Sequence, residues 1–379
     1  MKWFGRAHRL ELLVLQPTPF CNLNCDYCYL PDRSASHRIS EDVLRRTFEQ
    51  VFASRYARES FTVVWHAGEP LVMPIEFYEN AIRLIDRLNT AGIEVSHSFQ
   101  TNGTLLNPSW CDFIKRHHVR VGVSVDGPAF LHDAHRKTRK GQGTHERVMA
   151  GIHCFQEQGV EFHVISVLTQ EALGHPEEMF RFYVENGIRR VGFNIEEIEG
   201  VNTASTLESA ESQARVRTFM KRFLELVSGS EVKLEVREFD GLRGFIAAGK
   251  GFIDGGQENT PLRILNVDWA GNFSTFSPEL LGLKSLVYGD FLLGNVLRDE
   301  LGTVEKTPKF RLLKRDVDAG IAECRRTCQY FGLCGGGSPS NKYFETGSFR
   351  STETMHCRLS KQAVVDVLLE SLESSLGIP

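Results

Sequence analysis

The chain has 379 residues, of which 41% are hydrophobic and 24% are charged, and its formal net charge is −4. These ordinary values exclude a disordered chain, a collagen and a small disulfide scaffold, and the length suggests two or three domains. The slight negative charge disfavours nucleic acid as a partner, and no apolar run reaches the about 18 residues of a membrane span. Met1–Leu10 has no signal-peptide core, so we expect a cytoplasmic protein.

Strand and helix patterns alternate over the first 200 residues. Helical stretches lie near 41–54, 75–88, 108–117, 144–158 and 176–185, between strand candidates at 10–15, 61–66, 94–100, 120–125, 161–168 and 189–195. Such alternation predicts an α/β fold with a parallel sheet, either a partial barrel of about six strands or a doubly wound sheet. The partial barrel is favoured because candidate functional residues follow several strand ends, where parallel barrels place their active sites.

The pattern changes after residue 200. A polar connection at 200–206 leads to a long helical pattern at 209–227, and the βα rhythm is lost from about 230. Residues 262–300 predict short strands with glycine turns, 319–357 show little periodicity, and 361–376 predict a helix packed on the body. We therefore predict three units: a partial barrel at 1–228, a bridging region with a β-hairpin at 229–318, and a small cysteine-rich domain with a C-terminal helix at 319–379.

Nine cysteines form two clusters and two isolated residues. Structural disulfides are rare in a reducing compartment, so clusters of three and four cysteines indicate metal binding. Cys111 and Cys154 stand alone in helical stretches, and we interpret both as packing residues.

The first cluster directly follows the first strand. Cys21, Cys25 and Cys28 are spaced C-x3-C-x2-C. Three thiolates on one loop suit a [4Fe–4S] cluster with one iron left open for a further ligand. A zinc ion with His66 as its fourth ligand is the alternative.

This motif, with the aromatic Tyr27 before its last cysteine, resembles that of the radical S-adenosylmethionine (SAM) enzymes. In that family the open iron binds the amino and carboxylate groups of SAM. One electron from the cluster cleaves the S–C5′ bond, and the 5′-deoxyadenosyl radical abstracts a substrate hydrogen. The resemblance implies a partial (β/α)6 radical SAM barrel followed by a small cysteine-rich iron–sulfur domain.

Segments at other strand ends extend the resemblance. The AGEP sequence at 67–70 resembles the family's GGEP turn, which contacts the SAM amino group, and we expect Ala67 to be tolerated there because its carbonyl is retained. QTNG at 100–103 matches the peptide-modifying branch, and SVDGP at 124–128 places a serine where the family has a SAM-contacting one. The resemblance implies SAM contacts from Tyr27, Gly68, Glu69, Pro70, Gln100, Asn102, Ser124, Arg136 and Leu168, with Arg136 on the carboxylate and Leu168 against adenine.

Two of these assignments have alternatives. Glu69 could serve only as a helix cap. Arg136 lies in a basic run with Lys137, Arg139 and Lys140, any of which could be the SAM partner, and the run could also be a solvated face or a nucleic-acid patch.

The second cluster comprises Cys324, Cys328, Cys334 and Cys357, enough for a closed [4Fe–4S] site, with structural zinc as the alternative. The glycine run 335–337 gives backbone freedom around it. The region resembles the SPASM extension of radical SAM peptide maturases, which usually holds two auxiliary clusters. Phe276 and Ser338 occupy positions where that pattern has cysteines, so we predict one auxiliary cluster, two clusters in all, and a role in electron relay or anchoring.

The SPASM-like end implies a peptide or protein substrate. Sulfatase-type maturases usually keep an aspartate after the hairpin cysteine, whereas Ser277 follows Phe276 here, which disfavours formylglycine formation. Segments 192–200 and 275–280 resemble maturases that join an aromatic ring to a neighbouring β-carbon, forming a cyclophane. We therefore expect a carbon–carbon cross-link in a ribosomally made precursor peptide, with formylglycine formation, another radical oxidation or a thioether link as alternatives.

Glu279 is the candidate base that takes the ring proton, with a surface role as the alternative, and we expect the remaining electron to leave through the auxiliary cluster. Glu196, Glu197 and Glu199 end the sixth strand, either as solvated carboxylates or as an acidic recognition site for a basic peptide. The resemblance implies a flavodoxin- or ferredoxin-type reductant as a further partner, and neither nucleic acid nor a membrane.

Overall fold

Six parallel strands follow one another across the central sheet in sequence order. The computed structural model describes residues 9–247 and 256–376, so 1–8, 248–255 and 377–379 lie outside it, including most of the polar N-terminal stretch considered above. The strands are β1 (Leu12–Leu15), β2 (Ser60–Trp65), β3 (Glu94–Thr101), β4 (Arg120–Ser124), β5 (His163–Leu168) and β6 (Arg190–Ile195). The predicted α/β architecture with a parallel sheet is confirmed.

Helices connect these strands and cover the sheet: α1 (Glu41–Ala53), α2 (Ile75–Leu88), α3 (Pro108–Arg116), α4 (Ala129–His135), α5 (His145–Glu157) and α6 (Pro176–Glu185). Local capping explains several boundaries. The side chains of Ser40 and Asn107 accept backbone N–H bonds at the starts of α1 and α3. Of these six helices, only α4 was not predicted, because it is two turns long and too short to show a clear hydrophobic period.

The second half of the chain contains shorter elements. They are α7 (Ser212–Ser228), β7 (Glu235–Val236), α8 (Arg237–Ala247), β8 (Ile264–Val267), β9 (Asn272–Thr275), β10 (Lys284–Ser285), β11 (Gly289–Asp290), β12 (Gly294–Asn295), α9 (Pro308–Thr327), α10 (Phe331–Cys334), α11 (Pro339–Thr346), α12 (Met355–Cys357) and α13 (Ala363–Leu376).

The sheet extends beyond the six predicted strands. Its order is β12-β9-β8-β1-β2-β3-β4-β5-β6-β7, with β8 parallel to β1 and β7 parallel to β6. The βα rhythm is lost after about residue 230 as expected, but the short strands of segment 229–318 extend both edges of the barrel sheet. The predicted hairpin is present as β8 and β9, which pair antiparallel around a turn at Gly271.

The cysteine-rich end is more helical than expected. The proposed boundary between residues 318 and 319 falls inside the continuous helix α9, whose charged sequence hid its period. The predicted C-terminal helix is α13, which packs on α7, with an ion pair of 2.5 Å between Arg217 and Asp366. No helix in the described ranges combines the length and apolar character that a membrane crossing needs.

Candidate active site and cysteine clusters

The carboxyl ends of the parallel strands bring the predicted site residues to one edge of the sheet. The cysteine loop follows β1, the AGEP turn follows β2, and the other predicted SAM contacts follow β3, β4 and β5. Parallel strands that point the same way place their carboxyl-terminal loops side by side, so residues distant in sequence meet there.

The first three cysteines lie on the loop after β1. Cys25 is buried, whereas Cys21 and Cys28 are half-buried. Burial raises the pKa of Cys21 to about 12 and that of Cys25 to about 11, so a thiolate at either position needs a positive partner. The backbone N–H of Leu23 donates to Cys21 Sγ over 3.5 Å. Desolvated thiols on one loop, one of them receiving an N–H bond, fit an iron–sulfur cluster.

The zinc alternative relied on His66. His66 Nε2 lies 3.2 Å from the Tyr29 hydroxyl, and burial lowers the pKa of His66 to about 4. The histidine that this alternative requires is therefore a neutral partner of Tyr29.

The basic run that includes Lys137 and Arg139 also contacts the cysteine loop. Arg139 Nε donates to the Cys21 carbonyl over 3.0 Å, and the Asn24 N–H donates to the Lys137 carbonyl over 2.8 Å. At these two positions the run has a structural role in the site.

The turn after β2 contacts the cysteine loop through its backbone. The Glu69 N–H donates to the Phe20 carbonyl over 2.9 Å, and a Cβ at Gly68 (φ +122°) would collide with the Thr18 carbonyl oxygen. Only glycine fits there. Ala67 has a φ of +66°, a conformation that costs a residue with a Cβ about 1–2 kcal/mol. Replacing the family's glycine with Ala67 is therefore not conformationally neutral, contrary to expectation.

Glu69 is fully buried and accepts three hydrogen bonds. Its Oε1 accepts from the Leu71 N–H (3.0 Å) and the Thr101 hydroxyl (2.6 Å), and its Oε2 accepts from the Asn102 N–H (2.8 Å). It thus caps the short helix Pro70–Val72, as its alternative proposed, and also ties that turn to β3. Burial raises the pKa of Glu69 to about 7 despite these bonds. A carboxylate accepts about four bonds, which leaves one for a cationic ligand.

Residues at the ends of β3, β4 and β5 lie near this turn. Gln100 Nε2 donates to Ser124 Oγ over 3.0 Å. Asn102 Nδ2 donates to Asn22 Oδ1 over 2.8 Å and lies 3.8 Å from Cys21 Sγ. Leu168 ends β5 with no exposed surface. The structure therefore brings the predicted contacts of β3 and β4 next to one another and, through Asn102, next to the cysteine loop.

Asp126 is a site residue to which the sequence analysis gave no role. Its buried carboxylate accepts from Arg136 Nε over 2.8 Å, from the Val167 N–H over 2.9 Å, and from the Tyr27 hydroxyl. Burial acts to raise the pKa of Asp126, but the charges of Arg136 and His132 and the hydrogen bonds from Arg136 and Tyr27 together outweigh it, and the pKa is lowered. Arg136, expected to pair with the SAM carboxylate, thus already has an internal carboxylate partner. The available signal was a charged residue directly after a buried strand.

The first of the three carboxylates after β6 has a structural role. Glu196 is only 7% exposed, and its Oε2 accepts from the Thr206 N–H over 2.7 Å. This bond closes the polar connection 196–206. The interpretation of these residues as solvated carboxylates is wrong for Glu196 and for Glu199, which is equally buried.

Glu197 and Glu199 contact the cysteine-rich end of the chain. Glu199 Oε1 accepts from the Ser340 hydroxyl (2.9 Å) and from Asn341 Nδ2 (2.8 Å), and Glu197 lies 3.3 Å from His356 Nδ1. Burial raises the pKa of Glu199 well above its usual range, with Glu197 adding to the effect. Burial also acts to raise the pKa of Glu197, but His356 lowers it. The two shifts are opposite in direction, so the site favours the ionised form of Glu197 and the protonated form of Glu199.

Glu279 belongs to the same carboxylate group. Burial raises the pKa of Glu279 to about 8, and its charge in turn raises the pKa values of Glu199 and Tyr29. It follows Phe276, which is buried at a φ of +75°, a conformation that is unusual for a bulky residue. The strained residue after β9 directs the chain into the short helix that carries Glu279.

The four C-terminal cysteines come from three helices. Cys324 lies in α9, Cys328 caps it, Cys334 ends α10 and Cys357 ends α12. The glycines 335–337 all have positive φ, so the predicted need for backbone freedom there is confirmed.

Backbone donors face two of these sulfurs. The Gly336 N–H donates to Cys334 Sγ over 3.4 Å, and the Thr354 N–H donates to Cys357 Sγ over 3.2 Å. N–H donors to two of the four thiols fit a closed iron–sulfur site. Ser338, at a position where the SPASM pattern has a cysteine, instead bonds to Ser340 over 2.8 Å and so joins the carboxylate group.

Comparisons with known proteins agree with this geometry. The Radical SAM superfamily model matches residues 15–183. An uncharacterized protein of Synechocystis sp. is 46% identical over 372 residues, covering 97% of this chain and 93% of its own length. A serine-type anaerobic sulfatase-maturating enzyme of Bacteroides thetaiotaomicron is 26% identical over 361 residues, covering 90% and 85%.

Solved structures share the fold. Native anSMEcpe with bound AdoMet and Cp18Cys peptide has a TM-score of 0.78 at 23% identity, covering 96% of this chain and 98% of that one. Streptococcus suis SuiB bound to the precursor peptide SuiA has a TM-score of 0.64 at 15% identity, covering 92% and 76%. Taken with the site geometry, these matches show that the chain is an enzyme of the radical SAM superfamily, with S-adenosylmethionine and [4Fe–4S] as its cofactors.

Proposed function

We propose that this enzyme modifies a ribosomally made precursor peptide by forming an intramolecular carbon–carbon cross-link between an aromatic ring and a neighbouring side-chain carbon. The observation that carries the proposal is the carboxylate group Glu197, Glu199 and Glu279, because Glu199 and Glu279 interact electrostatically with Tyr29, the residue after Cys28. A proton acceptor therefore lies beside the loop that would bind the SAM-binding cluster. Cross-linking requires such an acceptor, because the aromatic carbon must lose its proton.

The chain offers two separate cluster sites. Cys21, Cys25 and Cys28 would hold the SAM-binding cluster, and Cys324, Cys328, Cys334 and Cys357 would hold a closed auxiliary cluster. When bound and reduced, the first cluster supplies the electron that cleaves SAM to the 5′-deoxyadenosyl radical. A flavodoxin- or ferredoxin-type protein is the proposed reductant.

The chain's own residues bind and orient SAM at this edge of the sheet. Glu69 has one acceptor position left for the SAM amino group, while Asp126 accepts hydrogen bonds from Arg136 and from Tyr27 of the cysteine loop and so fixes both side chains. Gly68 and Pro70 shape the turn that presents Glu69, and Gln100, Ser124 and Asn102 lie at the strand ends. Leu168, buried at the end of β5, would support the adenine position from within the core.

Glu279 then acts as the base. Each link removes one hydrogen atom, carried off on 5′-deoxyadenosine, and one proton from the ring, which Glu279 accepts, while the remaining electron would be accepted by the auxiliary cluster held by the C-terminal cysteines. The peptide thus loses two hydrogens for each bond formed.

A second candidate is the oxidation of a serine or cysteine to formylglycine. It is favoured by the similarity to sulfatase-maturating enzymes along most of the chain. The buried pair Phe276 and Ser277 speaks against it, because neither supplies the cysteine or the carboxylate expected after the hairpin.

The test is co-expression of the enzyme with the short peptide encoded beside its gene, followed by tandem mass spectrometry. We expect a loss of two hydrogens per link, with fragmentation silenced between an aromatic residue and its neighbour. The same loss with a full fragment ladder and a carbonyl-reactive serine or cysteine would support oxidation instead. An unchanged peptide, with purified enzyme that still forms 5′-deoxyadenosine, would contradict the choice of substrate.

A further inference from the structure

Helix α11 carries a buried lysine beside the C-terminal cysteines. Lys342 is only 4% exposed, and its Nζ lies 3.2 Å from Cys324 Sγ. Within the described ranges, no carboxylate forms an ion pair with it. A buried ammonium without a carboxylate is costly unless another anion balances its charge. The nearest anion that could balance the ammonium is the thiolate of Cys324, together with a metal cluster bound to it.

The surroundings leave space for this side chain. A Cβ at Gly320 in α9 would lie 3.2 Å from Lys342 Nζ and would collide with the Phe349 carbonyl oxygen. The helix that carries Lys342 is fixed at its start, because Ser340 and Asn341 donate to Glu199 and the Lys342 N–H donates to the Ser338 carbonyl over 3.3 Å. The ammonium is therefore held in place by packing on both sides.

We propose that Lys342 tunes the auxiliary cluster by holding a fixed positive charge against the ligand Cys324, which stabilises the reduced cluster and raises its reduction potential. The inference rests on the proposed function, because it requires an iron–sulfur cluster on the four C-terminal cysteines. A [4Fe–4S] cluster with four thiolates carries a net charge of −2 when oxidised and −3 after gaining one electron. A nearby cation stabilises the second state more strongly than the first, most of all where water is excluded.

The experiment uses the full-length chain with Cys21, Cys25 and Cys28 replaced by alanine, so that only the C-terminal site can hold a cluster. Lys342→Met removes the charge at similar volume, and Lys342→Arg retains it. Lys314→Met is the matched control, because Lys314 is an exposed lysine of α9 paired with Asp318. Each variant is titrated with dithionite under electron paramagnetic resonance, and its iron and zinc contents are measured.

We expect Lys342→Met to lower the ratio of reduced to oxidised cluster about tenfold at a fixed potential, equivalent to about 59 mV for one electron. Lys342→Arg and Lys314→Met should each stay within about twofold of the parent chain. Loss of iron in Lys342→Met with retention in Lys342→Arg would also support a charge-compensating role.

An unchanged potential in an iron-loaded Lys342→Met chain would overturn the role of Lys342 and leave the auxiliary cluster standing. Equal loss of iron in both lysine variants would assign the residue to packing and overturn the inference. A parent chain that holds zinc, or no iron, at these cysteines would overturn the auxiliary cluster and the inference together.

Discussion

The two cysteine sites of this enzyme differ in whether their surroundings are suited to bind a further ligand. At the N-terminal site three thiols lie on one loop, and polar groups surround it: Glu69 after β2, Asn102 after β3 and Arg136 after α4. At the C-terminal site four thiols come from helices and are closed in by backbone N–H donors and a buried cation. The first arrangement is suited to admit and orient a substrate, and the second to exclude one.

The largest effect should come from removing one site at a time. We expect Cys21, Cys25 and Cys28 changed together to alanine to abolish 5′-deoxyadenosine formation, while iron falls from about eight to about four per chain. Alanine at the four C-terminal cysteines should remove the other half and leave the N-terminal site able to bind SAM. Iron analysis and chromatography of the SAM products measure both. Loss of all iron in either variant would show that the sites are not independent.

The next largest effect concerns the base. Glu279→Gln should reduce peptide modification by about 10²–10⁴-fold, a range typical for general bases, while 5′-deoxyadenosine still forms. Because Glu279 must lose its proton before it accepts another and its pKa is raised to about 8, product formation should rise with pH through about 8. Mass spectrometry of the peptide from pH 6.5 to 9 tests this.

The exposed Glu157→Gln on α5 is the control for that measurement and should leave the pH profile unchanged. A Glu279→Gln enzyme that modifies its peptide at the normal rate would remove Glu279 from the mechanism.

A smaller effect is expected at Glu69. Its carboxylate form would accept the SAM amino group, and its pKa in the free chain is about 7, so below pH 7 a proton must leave when SAM binds. The Kd for SAM should therefore rise up to about tenfold per pH unit below 7 and level off above it. Equilibrium dialysis between pH 5.5 and 8 measures this. A Kd that does not change over this range would place the SAM amino group elsewhere.

The smallest effect is expected at the cysteines outside both sites. Cys111 is fully buried in α3, with its Sγ 3.5 Å from Cys154 Sγ in α5. Cys111→Ala should lower the free energy of unfolding by about 1 kcal/mol through lost packing and leave the iron content unchanged. Urea unfolding and iron analysis check both, and a loss of iron would contradict the packing role.

Sequence patterns predicted the first site well because its residues follow strands at fixed short offsets. The alternating burial of β2, for example, marks where that strand ends, so the turn containing Gly68 and Glu69 could be placed at the correct edge. The three cysteines likewise lie on a single loop, so their spacing in the sequence is enough to identify them as one group.

Contacts between distant segments could not be predicted in the same way. Nothing near Glu199 in sequence indicates that Ser340 and Asn341 donate hydrogen bonds to it. Likewise, nothing near Arg136 indicates that its Nε donates to Asp126. The pairing of β8 with β1 escaped prediction because the two strands are about 250 residues apart, and the short sequence of β8, Ile-Leu-Asn-Val, does not identify it as part of the barrel sheet.

The pairing of β1 with β8 has a consequence for how the enzyme is made. Leu12 lies opposite Ile264, so β1 has one unpaired edge until 252 more residues have left the ribosome. At about 5–20 residues per second, this edge stays open for about 13–50 s. An open strand edge beside three reactive thiols is exposed to mispairing. Insertion of the first cluster is therefore expected only after synthesis of β8, as a late step in the biogenesis of the enzyme.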